Sequence, residues 1–143
     1  MRFFIIPLLV MVVTQGIKML IEASKGTFEW SHVNGYGGMP SSHVALATSL
    51  SYTIAYFEGL ASPAFAVSLI LLVILLRDAT GYRYQLGIHG RILNGLIKEL
   101  PDRKEYKYPI LSERIGHTPA EVTVGVIAGA MLSAAIIALW HAV

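Results

Sequence analysis

The chain has 143 residues, 55% of them hydrophobic and 14% charged, with a mean hydropathy of +0.60. Soluble domains carry roughly a quarter charged residues, so this composition points to lipid as the solvent for much of the surface. The absence of cysteine excludes a disulfide framework, a zinc–thiolate centre and a thiol nucleophile, and a net charge of +2 without a basic stripe argues against nucleic acid as a partner. The length suits one core, so a single domain over residues 1–143 is expected.

The first apolar block runs from Phe3 to about Ala23. Its start resembles a leader, but no small-residue cleavage site follows, and the block continues to spanning length. Gln15, Lys18 and Glu22 interrupt it at three- and four-residue spacing, with Lys25 three further on, so they share one helix face. Polar groups in a span normally face the protein interior; the alternative is that Lys18 and Glu22 only pair with each other or snorkel to the interface. Ser24 to Ser42, with four glycines and Pro40, reads as a loop.

A second helix is expected from about Val44 to Gly59, rich in Ala, Ser and Thr and therefore suited to close packing between helices. The short turn to Pro63 returns the chain antiparallel into a third helix, Ala64 to Leu76, continuing through Arg77 and Asp78 to Tyr82. Beyond it Leu86, Leu93, Leu96, Ile97 and Leu100 recur at helical spacing, with Arg91, Asn94 and Lys98 between them. That pattern is an amphipathic helix, lying on the membrane surface or covering the bundle. A charged, proline-bounded loop (PDRKEYKYP) ends it. The last helix opens at Thr118-Pro119 and reaches almost to Val143, with Gly125, Gly129 and Ser133 forming a face for close helix approach. The expected fold is all-α: an integral membrane bundle of about four transmembrane helices plus an amphipathic helix. The small-residue faces also raise the expectation of a homodimer.

With four spans, the Ser24–Ser42 loop and the Arg77–Thr118 segment share one side of the membrane. They carry Lys25, Arg77, Arg83, Arg91, Lys98, Arg103, Lys104, Lys107 and Arg114, against Arg2 alone on the other. Positive-inside counting puts these loops in the cytoplasm and both termini outside.

Two stretches carry chemistry. Gly37-Gly38-Met39-Pro40-Ser41-Ser42-His43 leads straight into a helix, so free backbone N–H groups and the positive end of the dipole favour a phosphate, and His43 stands where it can protonate a leaving oxygen. The plainer reading makes Ser41 or Ser42 a simple N-cap. Gly116-His117-Thr118-Pro119-Ala120-Glu121 also opens a helix. Glu121 is placed to orient His117, yet Thr118, Pro119 and Glu121 equally form a capping box, and spacing alone favours the cap. Asp78 lies between Arg77 and Arg83, an arrangement that interfacial anchoring alone does not explain. His32, His89 and His141 have no surroundings that read as a site.

Read together, GGMPSSH, RDATGYR and GHTPAEV with Gly125 resemble the divergent branch of the type 2 phosphatidic acid phosphatase superfamily, related to acid phosphatases and vanadium-dependent haloperoxidases. The resemblance covers nearly the whole chain. It implies a phosphate-binding role for Lys18, backbone phosphate contacts around Gly38, Ser41 and Ser42, a general-acid role for His43, and a nucleophilic role for His117 with Glu121 behind it. Four features depart from the superfamily pattern: Lys25-Gly26 stands for Arg-Pro, Ser42 for glycine, Glu121 for aspartate, and Leu111 for an arginine that Arg83 would replace. Asp78 is expected to support the site by holding Arg83 or Tyr82.

The leading expectation is therefore a phosphatase that needs neither metal nor cofactor and acts on a lipid phosphate among membrane lipids. The rival is a non-catalytic membrane protein that keeps an anion pocket for lipid binding or assembly. No vanadate-specific feature can be read to support a haloperoxidase.

Overall fold

A computed structural model describes residues 1–26, 38–102 and 106–142. These form five helices: α1 (Arg2–Ser24), α2 (Ser42–Glu58), α3 (Pro63–Thr80), α4 (Tyr82–Glu99) and α5 (Pro119–Ala142), with no strand among the described residues. The expected all-α membrane bundle is what the chain forms. The stretches opened by α1, α3 and α5 are each long and apolar enough to cross a membrane. The burial pattern departs from that of a water-soluble protein: beside buried Ile6, Val10 and Val44, hydroxyls lie inside while large aliphatic side chains lie outside. Ile70, Leu71, Val73 and Ile74 of α3 point outward, while Thr14, Ser49, Thr53 and Ser133 are fully buried. Apolar groups outside and hydroxyls inside make physical sense only where the surroundings are hydrocarbon.

The shorter α2, 17 residues long, is the centre of the bundle and packs against α1, α3 and α5. Its contact with α5 is close and runs parallel in register. A Cβ on Gly125 would stand 2.8 Å from the Ser41 carbonyl oxygen, and one on Gly129 would stand 2.6 Å from that of Ala45. One turn on, the Ser133 hydroxyl donates to Ser49 Oγ at 2.6 Å. The small-residue face that suggested a homodimer is thus used within the chain. Against α1, α2 runs antiparallel: Phe57 meets the edge of Phe3 at one end, and the Ser42 hydroxyl donates to Gln15 Oε1 at the other. The polar face of α1 accordingly turns inward. Arg2 lies 4.0 Å over the Phe57 ring, and His141 packs beside Tyr56 and Phe57, so that histidine belongs to an aromatic cluster at the end opposite Ser42.

Two helix ends differ from the sequence reading, and both matter for the site. Helix α2 starts at Ser42, two residues earlier than expected, because the Ser41 carbonyl already accepts the Ala45 N–H; Ser42 and His43 therefore lie in its first turn. Helix α3 stops at Thr80 rather than Tyr82, and the chain breaks at Gly81 (φ −99°, ψ −99°) before α4 begins. Of the other helices, α4 packs chiefly on α3. Its buried face is Gly87, Gly90 and Asn94, which receives the 111–116 backbone rather than solvent. Arg103, Lys104 and His32 lie outside the described residues.

If the α2–α5 contact holds the bundle together, Gly129→Val should destabilise it by about 1–3 kcal/mol, the usual cost of overpacking. Gly16→Ala, where an added Cβ meets nothing within 4 Å, should leave stability unchanged or slightly raised. Thermal unfolding in detergent compares them; equal melting temperatures would rule out the claim.

Candidate active site

The loop-side ends of α1, α2, α3 and α5 meet at one place. A cavity of about 160 Å3 opens there, lined by Ser41 and His43 from the start of α2, Asp78 from the end of α3, Arg83 from α4 and His117 from the segment before α5. Val44, Leu75 and Ala79 form its apolar wall. Polar groups on one side and apolar ones on the other suit the head of an amphiphile at the membrane interface.

Each polar residue is held by something specific. The His117 N–H donates to the Ala79 carbonyl at 3.0 Å, tying the segment before α5 to the end of α3. Just ahead of it Gly116 has φ +89°, and a Cβ there would run into the backbone of Arg83 and Tyr84; only glycine fits that turn. Further upstream Asn94 donates to the Leu111 carbonyl (2.9 Å) and to Glu113 (2.9 Å) and accepts from the Leu111 N–H (3.0 Å). Glycines at 87 and 90 let that strap lie directly on α4, since a Cβ at either would stand within 3 Å of its carbonyl oxygens.

Asp78 pairs with Arg83 rather than with Tyr82. An unbroken helix would put Asp78 and Arg83 on different faces; the break at Gly81 swings Arg83 back. Ser41 occupies the N-cap position of α2, yet its side chain makes no cap bond. Its hydroxyl is buried, has no hydrogen-bond partner among the described residues, and lies on the cavity wall. Ser42, by contrast, is engaged with Gln15 and is not on that wall. Gly38, at φ +91°, passes so close to α1 that a Cβ would stand 2.8 Å from Lys18 Cε and 3.0 Å from Glu22 Oε1.

Glu121 does the capping that spacing favoured: its carboxylate accepts the Thr118 N–H at 2.9 Å, and the Thr118 hydroxyl accepts the Glu121 N–H at 3.3 Å. It also stands within electrostatic reach of both Lys18 and His117. The buried Lys18 feels Glu22, Glu121 and Arg114. His117 is 8% exposed, and its burial holds the imidazole below the ordinary histidine value; Glu121 opposes this, while Lys18, His43 and Arg83 push the same way as burial. A neutral ring near pH 7 keeps its lone pair available.

Sequence reasoning missed Asn94, Gly87 and Gly90 as the scaffold for His117. The signal was a glycine–glycine–asparagine face on the amphipathic helix, hidden by its more obvious leucines. It also counted Arg114 only as a loop cation. Among the described residues no group of three His, Asp or Glu gathers as a cation site.

The profile of the Divergent PAP2 family matches residues 1–132. The chain belongs to that family. It is also 40% identical over 116 residues to the uncharacterized membrane protein YuiD of Bacillus subtilis (strain 168), covering 73% of each chain. No solved structure matches.

The charges around His117 set a signed prediction. Glu121 is the group that raises its pKa and Lys18 is one that lowers it. Glu121→Gln should therefore move the imidazole titration to lower pH, and Lys18→Met should move it to higher pH, both read from histidine ring NMR signals in micelles. Opposite signs would mean that Glu121 or Lys18 does not face the ring.

Proposed function

We propose that this protein is a metal-independent phosphohydrolase acting on a lipid phosphate at the membrane surface, with His117 as the nucleophile. The observation that carries this reading is one cavity lined by two histidines, Arg83 and the buried Ser41 hydroxyl at the start of α2, which has no partner among the described residues. Membership of the Divergent PAP2 family supports it independently.

In this reading the substrate phosphate lies against the first-turn amides of α2, with the Ser41 hydroxyl donating to it and Lys18 and Arg83 balancing its charge. His117, neutral, attacks phosphorus through a ring nitrogen. The P–O bond to the lipid breaks, and His43, protonated, delivers its proton to the departing alkoxide. Water, deprotonated by the now neutral His43, attacks the phosphohistidine, releasing inorganic phosphate and restoring His117. Glu121 stabilises the positive charge that His117 carries in between. The apolar wall of Val44, Leu75 and Ala79 takes the first carbons of the lipid.

Two observations favour a non-catalytic reading: Arg83 is paired with Asp78, and Leu111 stands where the wider superfamily has arginine. Fewer cations then face the equatorial oxygens of the transition state. Turnover separates the two readings. Purified protein in chelator should hydrolyse phosphatidate, phosphatidylglycerophosphate or a polyprenyl phosphate, with inhibition by orthovanadate. His117→Ala should remove the activity by roughly three orders of magnitude or more. His43→Ala should cost about 10²–10⁴ for poor leaving groups and far less for good ones. No hydrolysis of any of the three, with the histidine variants binding lipid like the wild type, leaves the non-catalytic reading.

The cavity is proposed to face the cytoplasm, on the charge asymmetry of the loops. With no native cysteine, a single cysteine at Lys107 should resist an impermeant thiol reagent added to intact cells and react after permeabilisation. Labelling in intact cells would reverse the orientation.

A further inference from the structure

Helices α3 and α5 both pack on α2 but only lightly on each other, and a groove of about 500 Å3 opens between them. Its sides are Val73 and Leu76 of α3 and Val122 and Val126 of α5, with Arg77 near the loop-side end. It is not part of the catalytic cavity. Leu75, Asp78 and Ala79 face the cavity, whereas Val73, Leu76 and Arg77 face the groove, around the other side of α3. Buried Ala79 and Val122, packed with Val44, stand between the two.

The occupant follows from where the groove lies and what lines it. Both flanking helices are of spanning length and apolar, so hydrocarbon chains are what the groove meets along its valines and leucine. At its loop-side end the lining includes one cation and no acid. Asp78, the neighbouring carboxylate, is engaged by Arg83 on the cavity side, and the nearby Thr80 hydroxyl already donates to the Leu76 carbonyl. An arginine at the end of a span, with donors to spare above an apolar groove, matches the phosphate of a glycerophospholipid whose acyl chain lies below it.

We infer that the α3–α5 groove binds one anionic phospholipid of the surrounding bilayer, its phosphate on Arg77 and an acyl chain along Val73, Leu76, Val122 and Val126. The site needs only the membrane placement of the bundle; it stands or falls separately from hydrolysis. Its ligand is a resident lipid rather than a substrate, because the lining carries no histidine or carboxylate and its two hydroxyls, Thr80 and Thr123, already donate to the Leu76 and Pro119 carbonyls.

Native mass spectrometry of the full chain, released from nanodiscs of mixed phosphatidylglycerol and phosphatidylcholine, tests this. Wild type should retain one phosphatidylglycerol in preference to phosphatidylcholine. Arg77→Gln should weaken that retention about tenfold or more, the effect of losing one charge-assisted hydrogen bond. Val126→Trp, which fills the groove, should abolish it, while Arg91→Gln, a cation outside the groove, should not change it. Circular dichroism confirms that each variant is folded. His117→Ala should retain the lipid like the wild type; if it loses the lipid, the bound molecule occupies the catalytic cavity and the inference fails. Equal retention of the two lipids, or wild-type retention by folded Arg77→Gln or Val126→Trp, also overturns it. So does a dimer that Val126→Trp splits, since a second copy then fills the groove.

Discussion

The parallel contact between α2 and α5 is the constraint from which the rest of the site follows. Two helices that run side by side in the same direction bring their N-termini to the same level. Here Gly125 and Gly129 let α5 lie against the α2 backbone, and the Ser133–Ser49 bond fixes the register. Two positive helix ends side by side repel unless something negative lies near them. Glu121 supplies part of that charge, capping α5 while facing Lys18 and His117. An anion bound at the first turn of α2 would supply the rest. The packing of the membrane core and the chemistry of the cavity are in this sense one problem, solved by small residues in the middle of two helices.

The other helices serve that pair. Helix α1 brings Lys18 to the Gly38 backbone and holds the start of α2 through Gln15 and Ser42. The end of α3 provides both the Ala79 carbonyl that receives the His117 N–H and the carboxylate that holds Arg83. Helix α4 supports from outside, with Asn94 clamping the strap that leads to His117. Residues far apart in sequence thus converge without any of them needing to be exceptional by itself.

Much of this is legible in the amino-acid sequence. Composition announced the membrane helices as four, of which α1 and the stretches opened by α3 and α5 are long and apolar enough to cross while α2 is shorter; the capping box at Thr118 and Glu121 placed the start of α5 to the residue. What escaped the sequence depends on geometry that periodicity does not carry. The Asp78–Arg83 pair exists only because the helix breaks at Gly81, and an unbroken period puts the two on different faces. The different fates of Ser41 and Ser42, one on the cavity wall and one engaged with α1, turn on a helix start two residues earlier than the pattern suggested. Asn94 read as part of a solvated face because its partners, the Leu111 backbone and Glu113, lie across a proline-bounded loop. The small-residue face of α5 was visible, but a face that permits close approach does not say whether the approaching helix comes from the same chain.

The central claim is that His117 attacks phosphorus. The most direct measurement is to quench the protein with acid-sparing denaturant during turnover of a lipid phosphate labelled in its phosphoryl group, and to map the label by mass spectrometry. The account predicts an alkali-stable, acid-labile phosphoryl group on His117, absent from His117→Asn. Steady hydrolysis with no covalent label, or a label on any other residue, would contradict it.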